Sequence, residues 1–169
     1  MKREKYRSRV IDEKVQMYLA TFGAVCIEGP KWCGKTWTAQ HHCTSSISLG
    51  DPAGGFMNKK LAETDPGIVL EGGKPRLIDE WQEVPPLWDA VRYAVDADGM
   101  KGQYLLTGSA TPQRKGILHS GTGRIARLRM RPMSLYESGD SSGQVSLQEI
   151  CVWRMKPSMT VGVILNQVI

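Results

Sequence analysis

Eight residues combine two glycines, a lysine and a threonine in an order that suits phosphate binding. Residues 29–36 are Gly-Pro-Lys-Trp-Cys-Gly-Lys-Thr, which matches G-x-x-x-x-G-K-[ST]. Glycines at both ends let the backbone wrap around an anion, so that its N–H groups point at a phosphate. Lys35 supplies a positive charge for the β- and γ-phosphates, and the Thr36 hydroxyl can coordinate Mg²⁺. The predicted nucleotide-contacting residues here are Gly29, Pro30, Lys31, Trp32, Cys33, Gly34, Lys35, Thr36 and the following Trp37.

The residues on either side predict the strand and the helix that such a phosphate loop requires. Ala24-Val25-Cys26-Ile27 is a short apolar, partly β-branched run typical of a buried strand. Residues 35–42 contain neither glycine nor proline and can begin a helix. Because strand, loop and helix follow in the required order, the context favours a phosphate site over a chance glycine-rich turn.

A second group of candidate residues is the acidic pair that follows Leu77-Ile78. Asp79, at the end of an apolar strand, is suited to hold Mg²⁺, usually through water. Glu80 is a candidate general base, or an orienting group, for an attacking water molecule. The alternative is a surface acidic pair at a strand end. The phosphate loop upstream favours the catalytic interpretation.

Three further residues could act on the γ-phosphate. Thr107 and Ser109 surround Gly108 at the end of another apolar run, where a hydroxyl can hydrogen-bond the γ-phosphate or the attacking water; simple turn chemistry is the alternative. Arg124 follows a glycine-rich loop and could supply a charge to the γ-phosphate, within its own chain or across a subunit boundary. The alternative for Arg124 is a surface loop arginine.

The elements that must position these side chains alternate between strands and helices. This alternation predicts an α/β fold of the P-loop NTPase type, with a mostly parallel sheet, helices on both faces and an N-terminal helix at about 10–22. Parallel strands place their carboxyl ends at one edge, where ligands bind. The predicted strands are 24–27, 47–49, 76–78, 103–107 and 124–130; the other predicted helices are 35–42, 56–64 and one from Pro86 to near Gly99, and 65–67 is a predicted turn.

Composition limits the class of protein. With 169 residues, one domain is expected. No run reaches the roughly 18 apolar residues of a membrane span, and no apolar segment follows the basic N-terminus as in a signal peptide. These features predict a cytoplasmic protein without membrane partners. Cys33, His41, His42 and Cys43 lack the spacing of a zinc site, so zinc is not expected.

A basic stretch from Arg114 to Arg131 dominates the net charge of +5. It contains no acidic residue, so nucleic-acid binding is one interpretation. A solvated strand face is favoured for most of it, because Arg127, Arg129 and Arg131 alternate with apolar residues.

Four segments together carry a family resemblance. They are residues 29–36, Leu-Ile-Asp-Glu-Trp-Gln-Glu-Val-Pro at 77–85, Leu-Leu-Thr-Gly-Ser-Ala-Thr-Pro at 105–112, and residues 119–137 from His-Ser-Gly-Thr-Gly-Arg to Leu-Tyr-Glu. The chain resembles prokaryotic AAA-like ATP-binding proteins, in which an N-terminal ATPase domain precedes a C-terminal domain of uncharacterised function. The resemblance implies that Lys35 and Thr36 belong to Walker A, that Asp79 and Glu80 are Walker B, that Ser109 or Thr107 is the sensor, and that Arg124 is an arginine-finger or sensor-like residue.

The resemblance also shapes the expected domain organisation. Residues 1–137 are expected to form the ATPase domain, and 138–169 a linker and an unassigned tail. Because the tail does not resemble the family's continuation, a truncated chain without the C-terminal domain is expected. AAA-like relatives often assemble, so self-association is an open expectation.

Two functions from different classes remain open. The first is a Mg²⁺-dependent ATPase that hydrolyses ATP by water attack at the γ-phosphate. The second is a nucleotide-binding module without useful turnover. A GTPase is disfavoured, because the Asn-Lys-x-Asp motif is missing where Asn58-Lys59-Lys60 continues with Leu61. A small-molecule kinase is disfavoured, because the adjacent acidic pair suits water activation.

Overall fold

Five parallel strands form the sheet at the centre of the fold. This computed structural model describes residues 6–109 and 117–144. The strands are β1 (Ala24–Gly29), β2 (Ser45–Ser48), β3 (Arg76–Asp79), β4 (Tyr104–Ser109) and β5 (Ile125–Arg129). Their spatial order is β2-β3-β4-β1-β5, and every neighbouring pair is parallel. The predicted parallel α/β fold is thus confirmed.

Helices connect the strands and cover the sheet. They are α1 (Asp12–Thr21), α2 (Lys35–His42), α3 (Ala53–Thr64), α4 (Pro66–Leu70), α5 (Leu87–Asp98) and α6 (Leu135–Ser138), with a 3₁₀ helix at Trp81–Glu83. The predicted N-terminal helix agrees with α1 to within two residues at each end. α5 ends at Gly99, whose left-handed φ of 64° closes the helix.

Side chains that alternate along β1 point to two separate hydrophobic cores. Val25 and Ile27 pack with Val15 of α1 and Ala39 of α2 on one face. Ala24 and Cys26 lie on the opposite face, in a core built from the helices α3, α4 and α5. The largest buried side chains of this second core include Trp81, Trp88, Leu87 and Leu106. The sheet is therefore covered on both sides, as its nearly continuous apolar strands predict.

Two local predictions differ from the structure. The predicted turn at residues 65–67 instead begins α4, because the Asp65 side chain caps the Gly67 N–H and Pro66 occupies the first helical turn. The predicted helix 56–64 corresponds to α3, which begins earlier, at Ala53, and is kinked at its start: Gly54, Gly55 and Phe56 all have positive φ, so regular helix begins only after Phe56.

Two compact units divide the chain between Met133 and Ser134, slightly before the predicted domain boundary at residue 137. The described part of the second unit contains the short helix α6, capped by reciprocal hydrogen bonds between Ser134 and Glu137. The assignment of 138–169 as linker and tail stays a prediction. In the described ranges, the helices are too short or too polar for any of them to cross a bilayer.

Candidate functional site

The loop of residues 29–36 joins the carboxyl end of β1 to the first turn of α2. Gly29 ends β1, and a Cβ there would come within 2.5 Å of the Met130 carbonyl oxygen. Only glycine therefore allows the end of β1 to lie this close to the Met130 backbone. Gly34 has a φ of 96° and is the N-cap of α2. The loop conformation therefore depends on the two glycines in the motif for physical reasons.

Side chains between the two glycines point in different directions. The Trp32 side chain is fully exposed, on a backbone with a φ of 68° that few non-glycine residues adopt. Pro30 and Lys31 are also exposed, whereas the Cys33 side chain is buried in the core beneath the loop. Any contact of Cys33 with a ligand above the loop would be made by its backbone. Trp37 is partly exposed on α2.

Lys35 lies at the start of α2 with its ammonium group folded back onto the loop. Its Nζ donates hydrogen bonds to the carbonyl oxygens of Gly29, at 3.1 Å, and Pro30, at 2.9 Å. The side chain is almost fully buried, with 8% exposed. The loop therefore holds its own positive charge at the place where a phosphate would bind.

Asp79 brings the phosphate loop and the end of β3 together. The Thr36 hydroxyl donates to Asp79 Oδ1 at 2.9 Å, across 43 residues of sequence. The Thr107 hydroxyl donates to the same oxygen, and the Ser48 hydroxyl donates to Oδ2 at 3.4 Å. One hydroxyl from each of β2, β4 and α2 thus donates to the Asp79 carboxylate, which is largely buried.

This donor set suits a magnesium ion that is also bound by phosphate. Mg²⁺ in nucleotide sites is commonly held by one or two protein oxygens together with phosphate oxygens and water. Thr36 Oγ1 and Asp79 Oδ1 are such oxygens and lie side by side. In the described residues, no group of three or more His, Cys, Asp and Glu side chains could hold a metal by itself.

The two sensor candidates on β4 have different positions. Thr107 is fully buried, and its hydroxyl is directed to Asp79, so its observed contact orients the carboxylate rather than reaching toward a phosphate. Ser109 is partly exposed and lies in register with Gly29 on the neighbouring strand. Of these two residues, Ser109 is therefore the one beside the first residue of the phosphate loop.

Glu80 follows Asp79 in a left-handed conformation, with a φ of 58° and a ψ of 44°. A non-glycine residue in this region costs about 1 kcal/mol or more, and such residues cluster at functional sites. The turn carries the chain out of β3 into the 3₁₀ helix, and the Glu80 carboxylate accepts a hydrogen bond from Gln82 Nε2. The two carboxylates of the acidic pair therefore have different partners: Asp79 contacts Thr36, and Glu80 contacts Gln82.

Arg124 does not lie near the phosphate loop, which corrects the prediction that it acts on a γ-phosphate bound by its own chain. It precedes β5, and its carbonyl oxygen accepts from the N–H of Ala24, at the start of β1. Since the strands are parallel, this is the edge opposite the loop. Its guanidinium pairs with Asp96 of α5 at 2.6 Å. An action of Arg124 on a neighbouring subunit stays a prediction.

Part of the basic stretch is engaged in ion pairs within the described residues. Arg114 and Lys115 lie outside the described residues. Arg127 pairs with Glu28 at 2.9 Å and lies over the Trp88 ring. Arg124 is paired with Asp96, whereas Arg129 and Arg131 are exposed at the end of β5 and just after it. The favoured interpretation of a strand face fits this arrangement better than a nucleic-acid surface.

The cysteine and histidine residues that resemble zinc ligands have other contacts. His42 pairs with Asp12 at 3.0 Å, and His41 stacks on Tyr6. Burial alone would raise the pKa of Asp12, but hydrogen bonds from the Tyr6 hydroxyl, the Arg9 N–H and His42 together hold it below its ordinary value. These contacts fasten the segment before α1 onto α2.

Arg9 is a residue of the site that the sequence patterns did not single out. Its guanidinium is largely buried and donates to the carbonyl oxygens of Cys33, at 2.7 Å, and Arg131, at 3.0 Å. It therefore joins the phosphate loop to the segment that follows β5. Nothing in the basic N-terminal sequence distinguishes this arginine from its neighbours, because the contacts are to backbone atoms distant along the chain.

Replacing Arg9 by alanine is expected to weaken nucleotide binding about tenfold, because two buried carbonyl oxygens lose charged donors and the loop loses a support. Arg9→Lys should restore only part of the affinity, since one ammonium cannot reproduce the planar fork. Titration of both variants with nucleotide measures this. Unchanged affinity in Arg9→Ala would contradict the supporting role. The matched control is Arg129→Ala, which removes an arginine from an exposed position of β5.

The chain is similar in sequence to a protein family and to two curated proteins. Residues 21–139 match the model of a protein family described as an AAA domain. Two uncharacterized proteins, from Mycobacterium bovis and Mycobacterium tuberculosis, are each 29% identical over 121 residues, which is 70% of this chain and 27% of the relative. The chain thus spans about a quarter of the length of these curated relatives.

Two solved structures from Thermotoga maritima are similar to this chain. Domain III of the replication initiation protein DnaA aligns with a TM-score of 0.48 and 13% identity, over 82% of this chain and 70% of that one. A RuvB mutant aligns with a TM-score of 0.47 and 18% identity, over 82% of this chain and 51% of that one.

Proposed function

Because the chain belongs to the AAA domain family, we propose that it binds ATP with Mg²⁺ and hydrolyses ATP by attack of water on the γ-phosphate. The observation that most supports this proposal is the 2.9 Å hydrogen bond from Thr36 of the phosphate loop to Asp79. This bond brings the phosphate loop and the end of β3, 43 residues apart in the sequence, next to each other, as a site for a triphosphate and Mg²⁺ would require.

In this proposal the loop and its lysine bind the triphosphate. Backbone N–H groups between Gly29 and Gly34 surround the β-phosphate, and the α2 N-terminus faces it. Lys35 exchanges its contacts with the Gly29 and Pro30 carbonyl oxygens for contacts with phosphate oxygens. Thr36 and Asp79 hold Mg²⁺, which when bound neutralises charge on the β- and γ-phosphate oxygens.

Glu80 and Ser109 complete the proposed reaction site. Glu80 accepts a proton from the water that attacks the γ-phosphate, from a left-handed position directly after β3. Ser109, in register with Gly29, donates a hydrogen bond to the γ-phosphate or the attacking water. Thr107 contributes by orienting Asp79.

The competing proposal is a nucleotide-binding module without turnover. The same phosphate loop and Asp79 would serve both functions, since binding does not require Glu80.

Removal of magnesium is expected to stop phosphate release from ATP and to weaken ATP binding about tenfold or more, because Thr36 and Asp79 then face the phosphates without a cation between them. Phosphate release should be measured with Mg²⁺ and with excess EDTA, next to a Lys35→Ala sample that reports contaminating activity. Tight Mg²⁺-dependent ATP binding with phosphate release no higher than in Lys35→Ala would select the binding module. Absence of ATP binding would reject both proposals.

A further inference from the structure

Gln82 contacts the proposed base directly. Its Nε2 donates a hydrogen bond to Glu80 Oε2. A carboxylate only accepts hydrogen bonds, so this contact fixes the orientation of the Gln82 amide, with nitrogen toward Glu80 and Oε1 directed elsewhere. This hydrogen bond engages Oε2 of Glu80, and in the proposed reaction Oε1 accepts the proton.

The backbone around Gln82 is fixed on both sides. The Glu83 N–H donates to the Glu80 carbonyl at 3.0 Å, and the Val84 N–H donates to the Trp81 carbonyl at 3.1 Å. Trp81 is fully buried and packs against Trp88, with ring centroids 4.9 Å apart. The 3₁₀ helix therefore fixes the backbone of Gln82 relative to Glu80, the residue that its side chain contacts.

Gly108 of β4 makes space for this arrangement. A Cβ on Gly108 would come within 2.7 Å of Gln82 Oε1 and 2.8 Å of Trp81 Nε1. The Gln82 amide thus lies against the backbone of β4 at Gly108, the residue before Ser109. Its Oε1 is buried and has no hydrogen-bond partner within the residues that the structure describes. The amide spans the space between the proposed base and the strand that carries Ser109.

We propose that Gln82 is a positioning residue that holds the Glu80 carboxylate in the orientation needed to accept the proton of the attacking water. The inference rests on the proposed ATP hydrolysis, to which it adds a residue. Gln82 acts through Glu80 and leaves ATP binding to residues 29–36 and Asp79. A glutamate side chain has several rotatable bonds, and the hydrogen bond from Gln82 restricts its orientations.

Gln82→Ala is expected to lower kcat about tenfold, a part of the roughly 10²–10⁴-fold that a general base contributes, with the Kd for ATP changed less than about twofold. Glu83→Gln is the matched control: it changes the next residue of the same helix, which is paired with Lys59 at the surface, and kcat should stay within about twofold. Single-turnover phosphate release with enzyme in excess measures the slow variants. A kcat of Gln82→Ala equal to wild type, or a loss of ATP affinity as large as the loss of kcat, would overturn the inference.

A double-mutant cycle separates positioning from general damage. Glu80→Asp keeps a carboxylate but shortens it by one methylene, which removes the contact with Gln82. Adding Gln82→Ala to Glu80→Asp should lower kcat by less than about twofold further, because the positioned group is already displaced. A full additional tenfold loss would contradict action through Glu80.

A cycle on stability tests the contact without turnover. Gln82→Ala and Glu80→Ala should have non-additive effects on the free energy of unfolding, since each removes the same hydrogen bond. If the wild type releases no phosphate although it binds ATP, the proposed ATPase function fails, and Gln82 has no reaction to position. Additive unfolding free energies in an active protein would overturn the Gln82 inference alone.

Discussion

Glu80→Gln is expected to lower kcat for ATP hydrolysis about 10²–10⁴-fold, the contribution of a positioned general base, while the Kd for ATP changes little. Glutamine has the length and shape of glutamate, so it can occupy the same position at the end of β3. Its amide cannot take a proton from water at neutral pH. ATP binding should persist, because the contacts of Lys35, Thr36 and Asp79 do not involve the Glu80 side chain.

The measurement pairs single-turnover phosphate release with ATP titration on the same protein samples. Glu83→Gln provides the control for loss of an acidic side chain three residues away, on the surface. A Glu80→Gln variant that hydrolyses ATP as fast as the wild type would remove Glu80 as the base. Loss of ATP binding in this variant would instead indicate that the left-handed turn supports the phosphate site.

Lys35→Ala is expected to weaken ATP binding about 100-fold, or about 2.7 kcal/mol, and to abolish hydrolysis. The ammonium is nearly buried at the phosphate loop, and charge-assisted hydrogen bonds to phosphate are among the stronger polar contacts. Calorimetric titration with ATP and Mg²⁺ measures the effect. Alanine also leaves the Gly29 and Pro30 carbonyl oxygens without this donor, so the melting temperature must be followed in parallel.

Two comparisons interpret the Lys35 result. Lys101→Ala removes an exposed lysine in the loop before β4, at the opposite edge of the sheet, and should leave ATP binding unchanged. Lys35→Arg keeps the charge in a longer, planar group and should recover little affinity, because the confined position suits a compact ammonium. Wild-type affinity in a folded Lys35→Ala protein would contradict the assignment of residues 29–36 as the triphosphate site.

Local sequence patterns predicted most strands and helices of the fold, because apolar runs and the positions of glycine and proline determine where these elements begin and end. The apolar run at 24–27, the helix from Lys35 and the strand before Asp79 all agree with the structure to within a few residues. The short helix Pro66–Leu70 was missed, since Pro and Gly after Asp indicate a turn as readily as a capped helix start. Parallel strands then bring the carboxyl ends together, which is why Asp79 could be expected near Thr36.

Other parts of the site depended on where side chains point. Thr107 and Ser109 are equivalent as sequence candidates and lie two positions apart on β4, on the same face. Their positions along the strand distinguish them: Thr107 is paired with Asp79 on β3, whereas Ser109 is paired with Gly29 on β1. Arg124 lies in a glycine-rich segment, yet it comes before its strand rather than after it. Being before β5 places it at the edge far from the phosphate loop, next to Asp96.

The sequence by itself determined the kind of site: a glycine-bounded phosphate loop after one strand and an acidic pair after another, which suffices for a nucleotide-binding α/β domain. The tertiary structure decided which side chains meet there. Arg9 contacts the loop through hydrogen bonds to backbone atoms that are distant in sequence. Gln82 contacts Glu80 because a left-handed residue turns the chain from β3 into a 3₁₀ helix, which no spacing rule contains. The reason is physical: residue type and period encode local conformation, whereas hydrogen bonds between distant segments depend on strand order and on which edge each residue reaches.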